Sequence, residues 1–144
     1  MTTDRRPSPA ARLVLCHRGE VDVDTVGRQV TASLRVAGAA FAYVHGSRAT
    51  GGARPDSDLD VAAFWGWAAP ASFEVDLPRG VDLMVLDTAP LELRGRIAST
   101  GVLLFEADSA GRVHWEAMTR KIWADERPRF ERAHREFVAA LAQS

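Results

Sequence analysis

The sequence predicts an α+β domain in which a small mixed β-sheet is flanked by α-helices. Two observations carry this. Apolar residues recur at helical spacing before and after a central block, and that block holds short runs of β formers: FAYVH, DLDVAAFW, VDLMVLD and VLLFEAD. Read in order, the chain gives helix, strand, strand, strand, helix, strand, then helices, a pattern that packs as layers around one core.

Each element has its own signal. Residues 1–11 (MTTDRRPSPAA) mix proline, serine and charge, and read as a flexible lead-in to a single domain over 12–144. Val23, Val26, Val30, Leu34 and Ala37 share one helical face, with Asp22 as N-cap and Gly38 as terminator. Phe41 to His45 is the first strand and ends at Gly46. Residues 51–57 have loop chemistry, and Asp58 to Trp65 is the second strand. Gly66, Pro70 and Pro78 mark an irregular connection, with a short edge strand expected at Ser72–Leu77. Val81 to Asp87 is the third strand. A helix follows with Pro90 in its first turn, Leu91, Leu93 and Ile97 inward, and Gly101 at its end. Val102 to Asp108 is the fourth strand. Beyond Gly111, Trp115, Met118 and Ile122 share a helical face, and Pro128 is expected to break or restart that helix before Phe130, Ala133, Phe137, Val138 and Leu141.

Composition narrows the function. With 144 residues the chain suits one compact domain, and 47% hydrophobic content supports a normal core without disulfides or a structural metal. A net charge of −1 gives no global basic field, so direct nucleic-acid binding is not expected. Cys16 is a single cysteine, read as a small core residue, which points to a reducing, cytoplasmic compartment. The Arg5-Arg6 pair is followed by too short an apolar stretch, Leu13 to Cys16, to read as an export signal, and no segment approaches a membrane span.

Chemistry concentrates in HGSRATGGARPDSDLDV, His45 to Val61. Strand side chains alternate, so Asp58 and Asp60 point one way while Leu59 points into the core. Adjacent carboxylates repel unless a cation lies between them, and hard oxygen ligands, read as having no His or Cys nearby, favour Mg²⁺ or Mn²⁺ over zinc. Gly46 leaves room for a triphosphate to approach the backbone, and the Ser47 hydroxyl with neighbouring backbone N–H groups suits a phosphate. Arg48 is a candidate positive partner, and Ser57 a further candidate for nucleotide binding. His45 is read as packing locally at the strand end. Trp115, Trp123, Phe130 and Phe137 are read as core before base-stacking residues, with some left for a partner surface. His17, His114 and His134 form no ligand spacing.

Gly46-Ser47, ten intervening residues, then Asp58-Leu59-Asp60 resembles the GSx10DxD signature of the polymerase β-like nucleotidyltransferases. The wider text, with VDLMVLD and LLFEAD, is similar to the minimal nucleotidyltransferases called MNT domains, including the MntA-type antitoxins of HEPN/MNT toxin–antitoxin pairs. The resemblance implies the polymerase β-like fold and two divalent ions held by Asp58, Asp60 and a third acidic residue. Asp82 matches that third position best, with Glu74, Asp76 and Asp87 as competitors. It further implies ATP as substrate, with AMP passed to an acceptor hydroxyl.

So short a chain has little length for an acceptor-binding extension. The resemblance therefore implies a docked protein acceptor: a tyrosine of a cognate HEPN ribonuclease toxin, in a type VII-like pair that forms a hetero-oligomer. Two rivals stay open. One is a steric binding module with an inactive nucleotide site, against which intact Gly46, Ser47, Asp58, Asp60 and Asp82 argue. The other is a small-molecule, aminoglycoside-type nucleotidyltransferase, for which an acidic extension after Gly111 is missing: Arg and Lys recur there instead, and suit an acidic partner surface or a solvated face.

Overall fold

The structure, a computed structural model, describes residues 20–46 and 59–143. Its elements are α1 (Glu20–Val36), β1 (Phe41–His45), β2 (Leu59–Phe64), β3 (Val81–Val85), α2 (Leu91–Thr100), β4 (Val102–Glu106) and α3 (Ser109–Ala142), with short 3₁₀ turns at Ser72–Glu74 and Leu86–Thr88. The predicted order is therefore the observed one, as an α+β domain. The expected lead-in at 1–11 lies outside the described residues.

The four strands lie in the order β3-β2-β1-β4. β1 pairs antiparallel with both β2 and β4, whereas β2 and β3 are parallel, so the sheet is mixed as expected. Pleat alternation sorts the side chains into two layers. On one face Val44, Leu59, Val61, Ala63 and Val85 pack with Val30 and Leu34 of α1. On the other, Phe41, Tyr43 and Ala62 pack with Ile97 and Ala98 of α2 and Trp115 of α3. Trp115 sits among three rings, its centroid 5.5 Å from Phe41, 5.8 Å from Tyr43 and 6.0 Å from Phe64.

α1 ends as its glycine predicts. Gly38 takes a left-handed φ of 87°, its N–H donates to the Arg35 carbonyl, and the Ala39 N–H reaches back to that of Leu34 at 2.9 Å. That double closure satisfies carbonyls the last turn would otherwise leave open. The helix begins at Glu20, however, so Asp22 lies inside it and is not the N-cap. Acidic residues in a first turn complement the helix dipole wherever the turn starts, which blurs the boundary in sequence. Ala37, expected on the inner face, is exposed just past the helix end.

Four further expectations are corrected. Ser72–Leu77 forms no strand: the Glu74 N–H bonds the Ala71 carbonyl at 2.9 Å in a 3₁₀ turn, while Val75 and Leu77 pack on the α1 face as part of the crossover between β2 and β3. The inner face of α3 is Trp115 and Thr119, with Trp123 half-buried beyond them, whereas Met118 and Ile122 are exposed. Pro128 does not break the helix; it sits within one continuous 34-residue element. The carbonyl it leaves without a partner belongs to an exposed turn at Ala124, where water can serve. Phe130 and Phe137, read as core, are exposed.

Candidate active site

The site is built where β1 ends and β2 and β3 begin. In the parallel β2–β3 ladder Asp60 lies directly beside Asp82, and in the antiparallel β1–β2 ladder it lies opposite His45. Registered neighbours share a face, so all three side chains project from the α2/α3 face of the sheet. Leu59, 2% exposed, and half-buried Val81 point the other way and anchor the strand starts in the core. The Leu59 N–H donates to the Gly80 carbonyl at 2.7 Å, which ties the two strand entries together.

Gly46 closes the site from below. Its φ of 77° is left-handed, and a Cβ there would collide with Oδ2 of Asp60. Glycine is therefore required twice, once for the backbone and once for the carboxylate that lies against it. His45 is half-buried, and burial holds its imidazole below the usual histidine range. The carboxylates of Asp60 and Asp82 act in the opposite direction without overcoming it.

Neither Asp60 nor Asp82 forms an ion pair with a described Arg or Lys. Two neighbouring carboxylates without an Arg or Lys partner among the described residues, with the Gly46 backbone against one of them, suit a hard divalent ion. Among the described residues no three His, Cys, Asp or Glu side chains form a complete metal-binding group. Asp58, the third expected ligand, lies outside the described residues, as do Ser47, Arg48 and Ser57.

The polymerase beta, nucleotidyltransferase family profile matches residues 34–110, more than half of the chain. The chain belongs to that family. The match runs from the end of α1 to the start of α3 and so contains the whole sheet of this nucleotidyltransferase. No curated protein sequence matches it. Among solved structures it is similar to a chain of a toxin–antitoxin crystallised with AMP-PNP, at 20% identity and TM-score 0.55, covering 75% of this chain and 98% of that one. It is also similar to a chain from a mutant of the toxin–antitoxin MntA-HpeT, at 16% identity and TM-score 0.52, covering 75% and 98%. Both likenesses are of fold.

Within this nucleotidyltransferase the competing carboxylates are elsewhere. Asp87 accepts the backbone N–H groups of Trp65 and Gly66, at 2.9 and 2.6 Å, and so pins the start of the crossover at the opposite end of β2. Glu74 and Asp76 are exposed on that crossover. Sequence reasoning missed the support behind His45. Tyr43, two residues earlier on the same face, donates to Oε1 of Glu116 at 2.6 Å, and Arg112 bridges Glu116, at 3.0 Å, to Glu106 on β4. Burial and the Glu116 carboxylate push the Tyr43 phenol well above the usual tyrosine range. The alternation Phe41, Tyr43, His45 was the available signal: it places His45 on the Asp60 face once β1 and β2 are paired.

Proposed function

We propose that this nucleotidyltransferase transfers AMP from ATP to a tyrosine hydroxyl of a cognate HEPN ribonuclease, and so acts as the antitoxin of a toxin–antitoxin pair. The observation that carries the reading is the direct register of Asp60 with Asp82, with Gly46 against Asp60, on a polymerase β family sheet. The antitoxin part is supported by the fold shared with a toxin–antitoxin chain crystallised with AMP-PNP, an ATP analogue.

Asp58, Asp60 and Asp82 would hold two Mg²⁺ or Mn²⁺ ions. When bound, such ions neutralise triphosphate charge and lower the pKa of the acceptor hydroxyl. The chain's own groups do the rest. Gly46 lets phosphate come close to the backbone, and Ser47, Arg48 and Ser57 offer donors to its oxygens. Asp82, the more exposed of the two described carboxylates, takes the phenolic proton as the tyrosine oxygen bonds to the α-phosphorus and pyrophosphate departs. A phenol, with a pKa near 10, loses that proton more readily than an aliphatic alcohol.

Intact-mass spectrometry of a co-expressed HEPN partner tests the reading. The expected result is added mass in AMP units on tyrosine, dependent on ATP and divalent metal. Neutralisation without added mass, equally by Asp58→Asn/Asp60→Asn, would replace it with steric inhibition. Transfer to an aminoglycoside and not to protein would replace it with small-molecule modification.

A further inference from the structure

The second half of α3 is the largest part of the described chain that the reaction leaves without a task. Residues 127–142 are all exposed, one uninterrupted stretch of helix about 24 Å long at 1.5 Å per residue. A helix of that length is marginal in water unless an apolar face is covered. This one has such a face. Trp123, Phe130 and Phe137 recur every seven residues, with Ala133 between the two phenylalanines and Ala140 beyond them. Trp123 is seated on α2, where it occupies the space a Cβ at Gly95 would need, and its ring lies 5.5 Å from that of Phe130. Further out, Phe137, Val138 and Leu141 are 63%, 49% and 58% exposed. The stripe thus starts half-buried against α2 and continues as surface along a single helix.

Beside it runs an open groove of about 760 Å³ between α2 and α3, with Trp123 and Phe130 in its wall and Arg96, Arg127 and Arg135 among its charged residues. Charge selects the occupant. Residues 127–142 carry four arginines against two glutamates, a net +2. Arg127 pairs with Glu131 and Arg129 with Glu126, whereas Arg132 and Arg135 form no ion pair with a described residue. A second copy docked arm against arm would bring together two stretches of net positive charge. An apolar surface rimmed by carboxylates would be complementary along the stripe.

We infer that the distal half of α3 is a docking arm for an acidic-rimmed, apolar helical surface of the protein acceptor. This rests on the reading that the acceptor is a protein, and adds where that protein is held. The arm is seated on α2, where Trp123 lies against Gly95, and the groove beside it is lined by residues of α2 and α3 and not by His45, Asp60 or Asp82. Holding the acceptor and reacting with it are therefore assigned to different parts of the surface.

The test uses the full chain and its co-expressed HEPN partner, with affinity, transfer and ATP–Mg²⁺ binding measured separately. Phe137→Asp, at an exposed position, is expected to weaken partner affinity at least about thirtyfold, the scale of a buried aromatic anchor. Arg135→Glu is expected to weaken it about tenfold, more at low salt than at high. Both variants should bind ATP–Mg²⁺ as the parent does, and Asp60→Asn should keep partner affinity while losing transfer. Parent-like partner affinity in both arm variants, with transfer to the partner intact, overturns the arm and leaves the proposed function standing. A parent chain that dimerises through the stripe, and becomes monomeric as Phe137→Asp, overturns it in favour of a second copy. A parent that neither binds nor modifies the HEPN protein sinks the proposed function and the arm with it.

Discussion

One face of the sheet has two unlike ends. At one end Phe41 and Phe64 stack with centroids 5.1 Å apart beneath Trp115, and α3 seals them from water. At the other end the same alternation delivers His45, Asp60 and Asp82, and Asp82 is left exposed. The pleat is the same in both places; the cover is not. α3 is seated over the ring-bearing end, and the open end is where the chain places charge. Stability and chemistry are therefore separable along strands only five or six residues long.

Four substitutions can break or sharpen that contrast. Asp60→Asn should lower nucleotidyl transfer by about 10³-fold or more, through lost binding of a divalent ion, and leave the metal-free melting temperature unchanged or higher. A large drop in melting temperature would show that the carboxylate end also carries structure. At the sealed end, Trp115→Ala should cost about 3–5 kcal/mol in urea unfolding, the range for deleting a buried aromatic. Full activity per folded molecule would confirm the separation.

Gly46→Ala joins the two ends. It should cost about 1–2 kcal/mol for the left-handed backbone, and depress transfer as well because the new methyl displaces the Asp60 carboxylate. If transfer survives at the parent rate, the close approach of Gly46 to Asp60 has no part in the reaction. Tyr43→Phe is the mildest, at about 1 kcal/mol for the lost hydrogen bond to Glu116. It also carries a pH signature. A tyrosine whose folded pKa is raised contributes stability that is complete below its unfolded pKa, near 10, and is lost as pH rises above it. Melting temperature should therefore fall more between pH 9 and 11 in the parent than in Tyr43→Phe. Tyr43 is the single tyrosine, so phenolate absorbance should appear together with unfolding and not before it.

Much of this was legible in the sequence, and the parts that were not share a cause. β1 was read to the residue because FAYVH is rich in β formers and ends at a glycine. Asp60 and the backbone turn at Gly46 were visible through spacing. Asp82 was reached through the family resemblance, and alternation allowed it to face Asp60, but its place directly beside Asp60 and its advantage over Asp87 needed the register, which no single strand contains. On α3 the apolar pattern Trp115, Met118, Ile122 pointed to the wrong face. The true face includes Thr119, a polar residue, and is chosen by α2, where Gly95 leaves a flat seat for Trp123. The edge strand expected at Ser72–Leu77 failed for a similar reason: Val75 and Leu77 are apolar because they cross the α1 face, not because they pair. Periodicity proposes a face, and only the partner element decides which face is buried and against what.

The parallel pairing of β2 with β3 has a kinetic meaning. β1 meets β2 in antiparallel register, but Asp82 reaches Asp60 only after the whole crossover from Trp65 to Gly80 has been laid across the sheet. Closing that loop costs entropy before any ladder bond repays it, and a slip of one residue would turn Asp82 to the opposite face. The pair of carboxylates therefore exists only once β3 has docked in register beside β2. A chain in which β3 has not docked would lack the paired carboxylates, so binding of a divalent ion, as proposed above, would report on that docking.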